Sequence, residues 1–91
     1  MNIPQITDIN IAIEIYYRYP EIGTNEIERL FSRHSKSTIH RLKRLAKIRM
    51  IEENVYTYGI YKINTECAYR AWGINVDDLE RRRNKLQKLG L

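Results

Sequence analysis

The run from Ser35 to Lys47, Ser-Lys-Ser-Thr-Ile-His-Arg-Leu-Lys-Arg-Leu-Ala-Lys, holds the side chains best suited to chemistry in this 91-residue chain. That chemistry is the recognition of a negatively charged surface, not the making or breaking of bonds. On a wheel of about 100° per residue, Ile39, Leu42, Leu45, Ala46 and Met50 form one apolar stripe. The opposite face collects Ser37, His40, Arg41, Arg44 and Lys47, with Lys36 at its edge, and contains no acid. Short donors near the start and long cationic donors further along suit an ordered polyanion. A basic amphipathic helix also fits a membrane surface or a partner's groove. Here the apolar stripe is needed for the core, which disfavours both.

Other candidate chemistry is thin. His34 and His40 stand six residues apart with no cysteine or convergent carboxylates nearby, so no metal site is expected. The single cysteine, Cys67, excludes an intramolecular disulfide. It reads as a small core residue in preference to a nucleophile paired with a distant histidine. Glu52-Glu53 and Asp77-Asp78 read as a solvated turn and a helix start, not as acid–base machinery. There is no phosphate-cradling glycine loop. Neither an enzyme nor a cofactor is expected. Tyrosine is abundant, with seven residues. Tyr58 and Tyr61 have the chemistry to stack on single-stranded bases, but packing across the strands of a hairpin is the expected role.

Charge is gathered unevenly along the chain, whose net value is +5. Residues 24–51 carry eight basic residues against Glu26 and Glu28, a local +6. Residues 79–91 carry five against Glu80, a local +4, whereas residues 1–23 and 52–78 stand at −2 and −3. Two cationic segments are the footprint expected for a polyanionic partner. The alternative is two solvated helix faces. Hydrophobic residues at 43% and charged residues at 30% fit one globular domain with a modest core. No run approaches the ~18 apolar residues of a membrane span. Met1-Asn2-Ile3-Pro4-Gln5 does not resemble the start of a secretion signal. A reducing cytoplasm, in association with the nucleoid, is the expected location.

The elements that must position these residues follow from periodicity and caps. Thr7 to Tyr19 is ambiguous. Ile9, Ile11, Ile13 and Ile15 alternate as in a strand, yet Ile6, Ile9, Ile13, Tyr16 and Tyr17 share a helical face. A helix capped by Thr7 or Asp8 and stopped by Pro20 is favoured. A second helix starts at Thr24 or Asn25 as N-cap, with Glu26 and Glu28 in its first turn, and ends by Ser32 or Arg33. A third starts at Ser35 and ends near Ile48 or Arg49. Residues 55–63 are the best strand candidate, aromatic and β-branched, with Gly59 as a turn or bulge. A short helix from about Glu66 to Trp72 follows, capped by Asn64 or Thr65 and ended by Gly73. The last helix opens at Asn75-Val76-Asp77-Asp78 and reaches about Leu89.

Helices two and three, joined by the few residues around Arg33-His34, describe a helix-turn-helix, whose second member enters the major groove of DNA. Ser35-Lys36-Ser37-Thr38-Ile39-His40-Arg41-Leu42-Lys43-Arg44-Leu45, followed by Met50-Ile51-Glu52, resembles the recognition helix of MarR-type winged helix-turn-helix regulators. Tyr19-Pro20-Glu21-Ile22 and Asn25-Glu26-Ile27-x-x-Leu30 resemble the end of helix one and the start of helix two in that fold. The resemblance spans roughly residues 12–66. Arg49 stands where the family usually has a helix-ending glycine, and the wing lacks the Asp-x-Arg tip. The flanking helices are too few for the ligand-binding body of the larger regulators. The nearer likeness is therefore to small phage- or mobile-element-type proteins.

The expected fold is mainly α with a small β wing: a winged helix-turn-helix over residues 1–75 and a C-terminal helix over 76–91. The expected function is sequence-specific binding of double-stranded DNA by a transcriptional regulator. The DNA-contacting residues would be Ser35, Lys36, Ser37, Thr38, His40, Arg41, Arg44 and Lys47, with Tyr58, Tyr61 and Lys62 on the wing. Val76, Leu79, Leu86 and Leu89 would form a homodimer seam, unless that stripe packs back on its own domain. No small-molecule effector and no membrane partner are expected. The alternatives are a protein-interaction or assembly module built on the same fold, and a replication or recombination accessory protein.

Overall fold

In the computed structural model the described residues are 3–32 and 34–90, so Arg33, placed above in the turn between helices two and three, lies outside them, as do Met1, Asn2 and Leu91. The order is α1 (Ile9–Arg18), β1 (Glu21–Ile22), α2 (Thr24–Phe31), α3 (Lys36–Glu52), β2 (Ile63–Asn64), α4 (Thr65–Trp72) and α5 (Val76–Lys88). The architecture is mainly helical, with a two-stranded antiparallel sheet pairing Glu21 with Asn64 and Ile22 with Ile63.

The ambiguous first segment is a helix. The Asp8 carboxylate accepts the Asn10 N–H at 2.7 Å and caps α1. Pro20 ends it, because the residue before a proline is driven to extended backbone. Tyr19 accordingly sits at φ −119°, ψ 112°. Ala12, Ile13 and Ile15 are buried, while Ile9 and Ile11 pack more loosely at the edge of the core.

The N-cap of α2 is Gly23 rather than Thr24 or Asn25. The Glu26 carboxylate reaches back to the Gly23 N–H at 2.7 Å. α3 starts at Ser35 as expected, its Oγ accepting the Thr38 N–H at 3.3 Å. It then runs past Arg49 to Glu52. The terminator is Asn54, at φ 55°. The Val55 N–H donates to the Met50 carbonyl at 2.9 Å and the Asn54 N–H to Ile51 at 3.2 Å. This is a Schellman closure, with asparagine in the left-handed position where glycine is usual. α4 closes in the same way on Gly73 at φ 73°, with the Ile74 N–H on the Tyr69 carbonyl at 2.9 Å.

Residues 55–62 do not form the expected strand. Asn54 and Tyr61 both have positive φ and interrupt an extended run. Two of the amides that a hairpin would pair, Tyr58 and Gly59, donate instead to the Glu21 carboxylate, at 2.7 and 2.9 Å. Ile63 and Asn64 alone of this region join the sheet.

α4 is the hub of the core. The Tyr69 hydroxyl donates to the Ala12 carbonyl of α1 at 2.7 Å, and the Trp72 indole N–H donates to the Leu42 carbonyl of α3 at 2.9 Å. The Trp72 ring meets Phe31 of α2 edge-on, centroids 5.3 Å apart. Beyond Asn75, whose side chain caps α5, Val76 and Leu79 are buried in this same core. These two residues therefore do not form an open seam. Leu86 and Leu89 are exposed.

Loss of the hub should be costly. Trp72→Ala should destabilise by about 3–5 kcal/mol, the range for large aromatic truncation. Tyr69→Phe should cost about 1 kcal/mol for one hydrogen bond. Urea unfolding followed by far-UV circular dichroism checks both, and near-equal losses would deny the ring its role as core filler.

Candidate nucleic-acid interface

The outer face of α3 and the loop before β2 enclose an open groove of about 520 Å³, lined by Ser37, His40, Arg41, Lys43, Arg44, Lys47 and Tyr61. The local sequence explains the placement. Ile39, Leu42, Ala46 and Met50 turn one side of α3 into the core, so the residues between them face outward. Tyr61, with its backbone at φ 66°, supplies the opposite wall.

Five of the eight DNA-contacting residues expected on α3 thus come together: Ser37, His40, Arg41, Arg44 and Lys47. The other three stand apart. Ser35 and Thr38 are engaged in the cap, their hydroxyls 3.1 Å from one another. Lys36 lies around the helix in an adjoining hollow with Glu28, His34 and His40. The three residues expected on a wing also divide. Tyr61 lines the groove, Tyr58 is fully exposed on the loop, and Lys62 turns to Glu26, its Nζ 3.7 Å from Oε1. Tyr56, Tyr58 and Tyr61 are all solvent-exposed, so the cross-strand packing expected of the tyrosines is absent.

Lys43 is the residue that sequence reasoning missed. It sits four residues after Ile39, beside the apolar stripe, where a wheel assigns it to the flank. Its Nζ donates to Thr24 Oγ1 at 2.8 Å. Burial, then the charges of Lys47 and Lys62, pull the Lys43 ammonium below its ordinary value. A cation crowded by other cations is a place where an anion's arrival relieves repulsion.

No carboxylate among the described residues lines the groove. Among the described residues Arg41, Arg44 and Lys47 have no ion-pair partner, whereas Arg18, Arg29, Arg49, Lys62, Arg70 and Arg81 each have at least one. Exposed Ile48 and Ile51 continue the outer face of α3 beyond Lys47. No group of three His, Cys, Asp or Glu side chains among the described residues is arranged to hold a metal. No helix among them is long and apolar enough to cross a membrane. Cys67 is buried, and desolvation followed by the Glu53 charge pushes its thiol up, away from a reactive thiolate.

No protein family, curated protein or solved structure matches this chain, so the chemistry of the groove is the ground for its reading.

Glu53 fastens the far end of the helix that bears the groove. Its carboxylate accepts from Arg70 of α4, with Nε at 3.2 Å from Oε2, and lies 3.8 Å from Arg49 Nε. The Arg70 hydrogen bond holds the Glu53 carboxyl below its ordinary value, against a smaller opposing effect of desolvation. A depressed carboxyl stabilises the fold above the unfolded-state pKa and loses that contribution as pH falls through the folded one. Glu53→Gln should therefore melt at a lower temperature than the natural chain near pH 7. The gap should hold down to the ordinary glutamate range and close only at more acid pH, as the carboxyl held below that range takes up its proton. Melting curves across this range check it, and a constant gap would assign the effect to packing.

Proposed function

We propose that the chain is a winged helix-turn-helix protein that binds double-stranded DNA by laying α3 in the major groove. The observation that carries this reading is the cationic face of α3. Arg41, Lys43, Arg44 and Lys47 converge with Ser37 and His40 on a concavity without a carboxylate. Long cationic side chains suit phosphates, and the serine, the histidine and Arg41 suit base edges. The element order also supports it: a strand between α1 and α2 pairs with the segment that follows α3, and the 55–62 loop stands where a wing would. The wing in this reading is a braced loop, not a hairpin.

The role that fits is a sequence-specific transcriptional regulator acting as a homodimer. Leu86, exposed on the last turns of α5, and Leu89, exposed at its C-cap, are the part of the expected seam still open to a second copy. Two-fold pairing there would present two α3 helices to successive major grooves about 34–36 Å apart.

Binding of mixed-sequence duplex should weaken steeply with salt. Neutralising about six phosphates gives a slope of about −5 in log K against log salt. Lys47→Ala should weaken all sequences alike, whereas Arg41→Ala should relax discrimination by about 1–3 kcal/mol at one base pair. A flat salt response, or unchanged footprints in both variants, would remove α3 from the interface.

The dimer is tested separately, by sedimentation of the intact chain and of the Leu86→Asp/Leu89→Asp variant. The variant should be monomeric at concentrations where the natural chain is dimeric. Equal sedimentation would refute the seam. Both substitutions lie outside the core, so the fold survives them.

A further inference from the structure

The loop between α3 and β2 exposes apolar side chains that no described residue covers. Tyr58 is 100% exposed, and Ile60 and Tyr61 are each 82% exposed. The loop is nevertheless braced. Both oxygens of Glu21 accept its tip amides, and the Thr57 hydroxyl donates to the Lys62 carbonyl at 3.3 Å. A side chain at Gly59 would put its Cβ 2.5 Å from Lys62 Cγ, so glycine allows the Lys62 stem to fold against the tip. A braced apolar tip loses little conformational freedom when it inserts into something. Tyr61 of the same loop forms the groove wall opposite the cations of α3.

A ligand that satisfies both features has an anionic rim and an apolar, stackable interior. We propose that Tyr58 and Ile60 act as a wedge that enters between base steps of duplex DNA and kinks it. The proposal rests on the duplex reading above. Isoleucine is among the side chains that unstack base steps, with kinks of about 20–90°, and an exposed tyrosine ring stacks on a base. The concavity beside the loop fits the ridge of a phosphate backbone, while a flat anionic bilayer would need a convex cationic face.

The test uses a duplex of about 16 base pairs with a central TA step, the easily kinked kind, and a donor and acceptor dye at its two ends. Saturation with the natural chain should raise energy transfer as the ends approach. Tyr58→Ser/Ile60→Ser should still saturate the duplex, with affinity reduced less than about tenfold, and leave it straight. Circular dichroism should be unchanged, since both side chains lie in solvent. Equal bending by the variant, or binding without bending by the natural chain, would overturn the wedge while leaving duplex binding intact. Tighter binding to the single strand would overturn it in favour of base stacking. Recruitment to phosphatidylglycerol vesicles in preference to duplex, lost in the variant, would overturn it in favour of a lipid surface. Failure of the natural chain to bind duplex at low salt would remove the duplex reading itself.

Discussion

The Trp72 indole crosses from α4 to α3, with its N–H on the Leu42 carbonyl and its ring edge against Phe31 of α2. α3 is long and its outer face is open to solvent, so its orientation is set from the inner side. An amphipathic helix with one narrow stripe can roll by some tens of degrees without exposing much apolar area. A directional hydrogen bond in a buried site restricts that roll, because breaking it leaves a desolvated donor. The Tyr69 hydroxyl does the same for α1 through the Ala12 carbonyl. The angular placement of the Lys43–Lys47 face relative to α4 is restrained by the Trp72 bond, and the 55–62 loop is held separately by the Glu21 carboxylate.

Much of the helical framework was legible in the residues, because caps are local chemistry. Asp8, Ser35, Asn64 and Asn75 each accept a backbone N–H at the start of the helix they open. Gly73 ends α4 by the left-handed conformation expected of it. What stayed hidden was non-local or second-choice chemistry. Asn54 terminates α3 because asparagine tolerates positive φ, yet the stretch before it gave no glycine or proline to mark the end. Residues 55–62 have strand composition, but a carboxylate 37 positions earlier than Tyr58 takes the tip amides. No local pattern reveals that.

The candidate site was legible to the extent that it lies on one helix. Ser37, His40, Arg41, Arg44 and Lys47 share a face by the geometry of an α-helix alone. Lys43 joins them because the groove has a second wall, which a single wheel does not contain. Val76 and Leu79 fell on the correct stripe of α5 but were assigned to a partner. Their burial against the chain's own core requires knowing that α5 folds back along α1, where the Tyr17 hydroxyl donates to Glu80.

The burial of the single cysteine makes the thiol a reporter of the chain's motions. Cys67 has no accessible surface, and it lies on the hub helix under Glu53 and Arg70. A thiol reagent can reach it only in molecules that have opened at α4. Where closing outpaces modification, the labelling rate measures the population of that opening. With one sulfhydryl in the sequence the signal comes from a single position, so the breathing of the helix-bearing scaffold is readable without introducing a label.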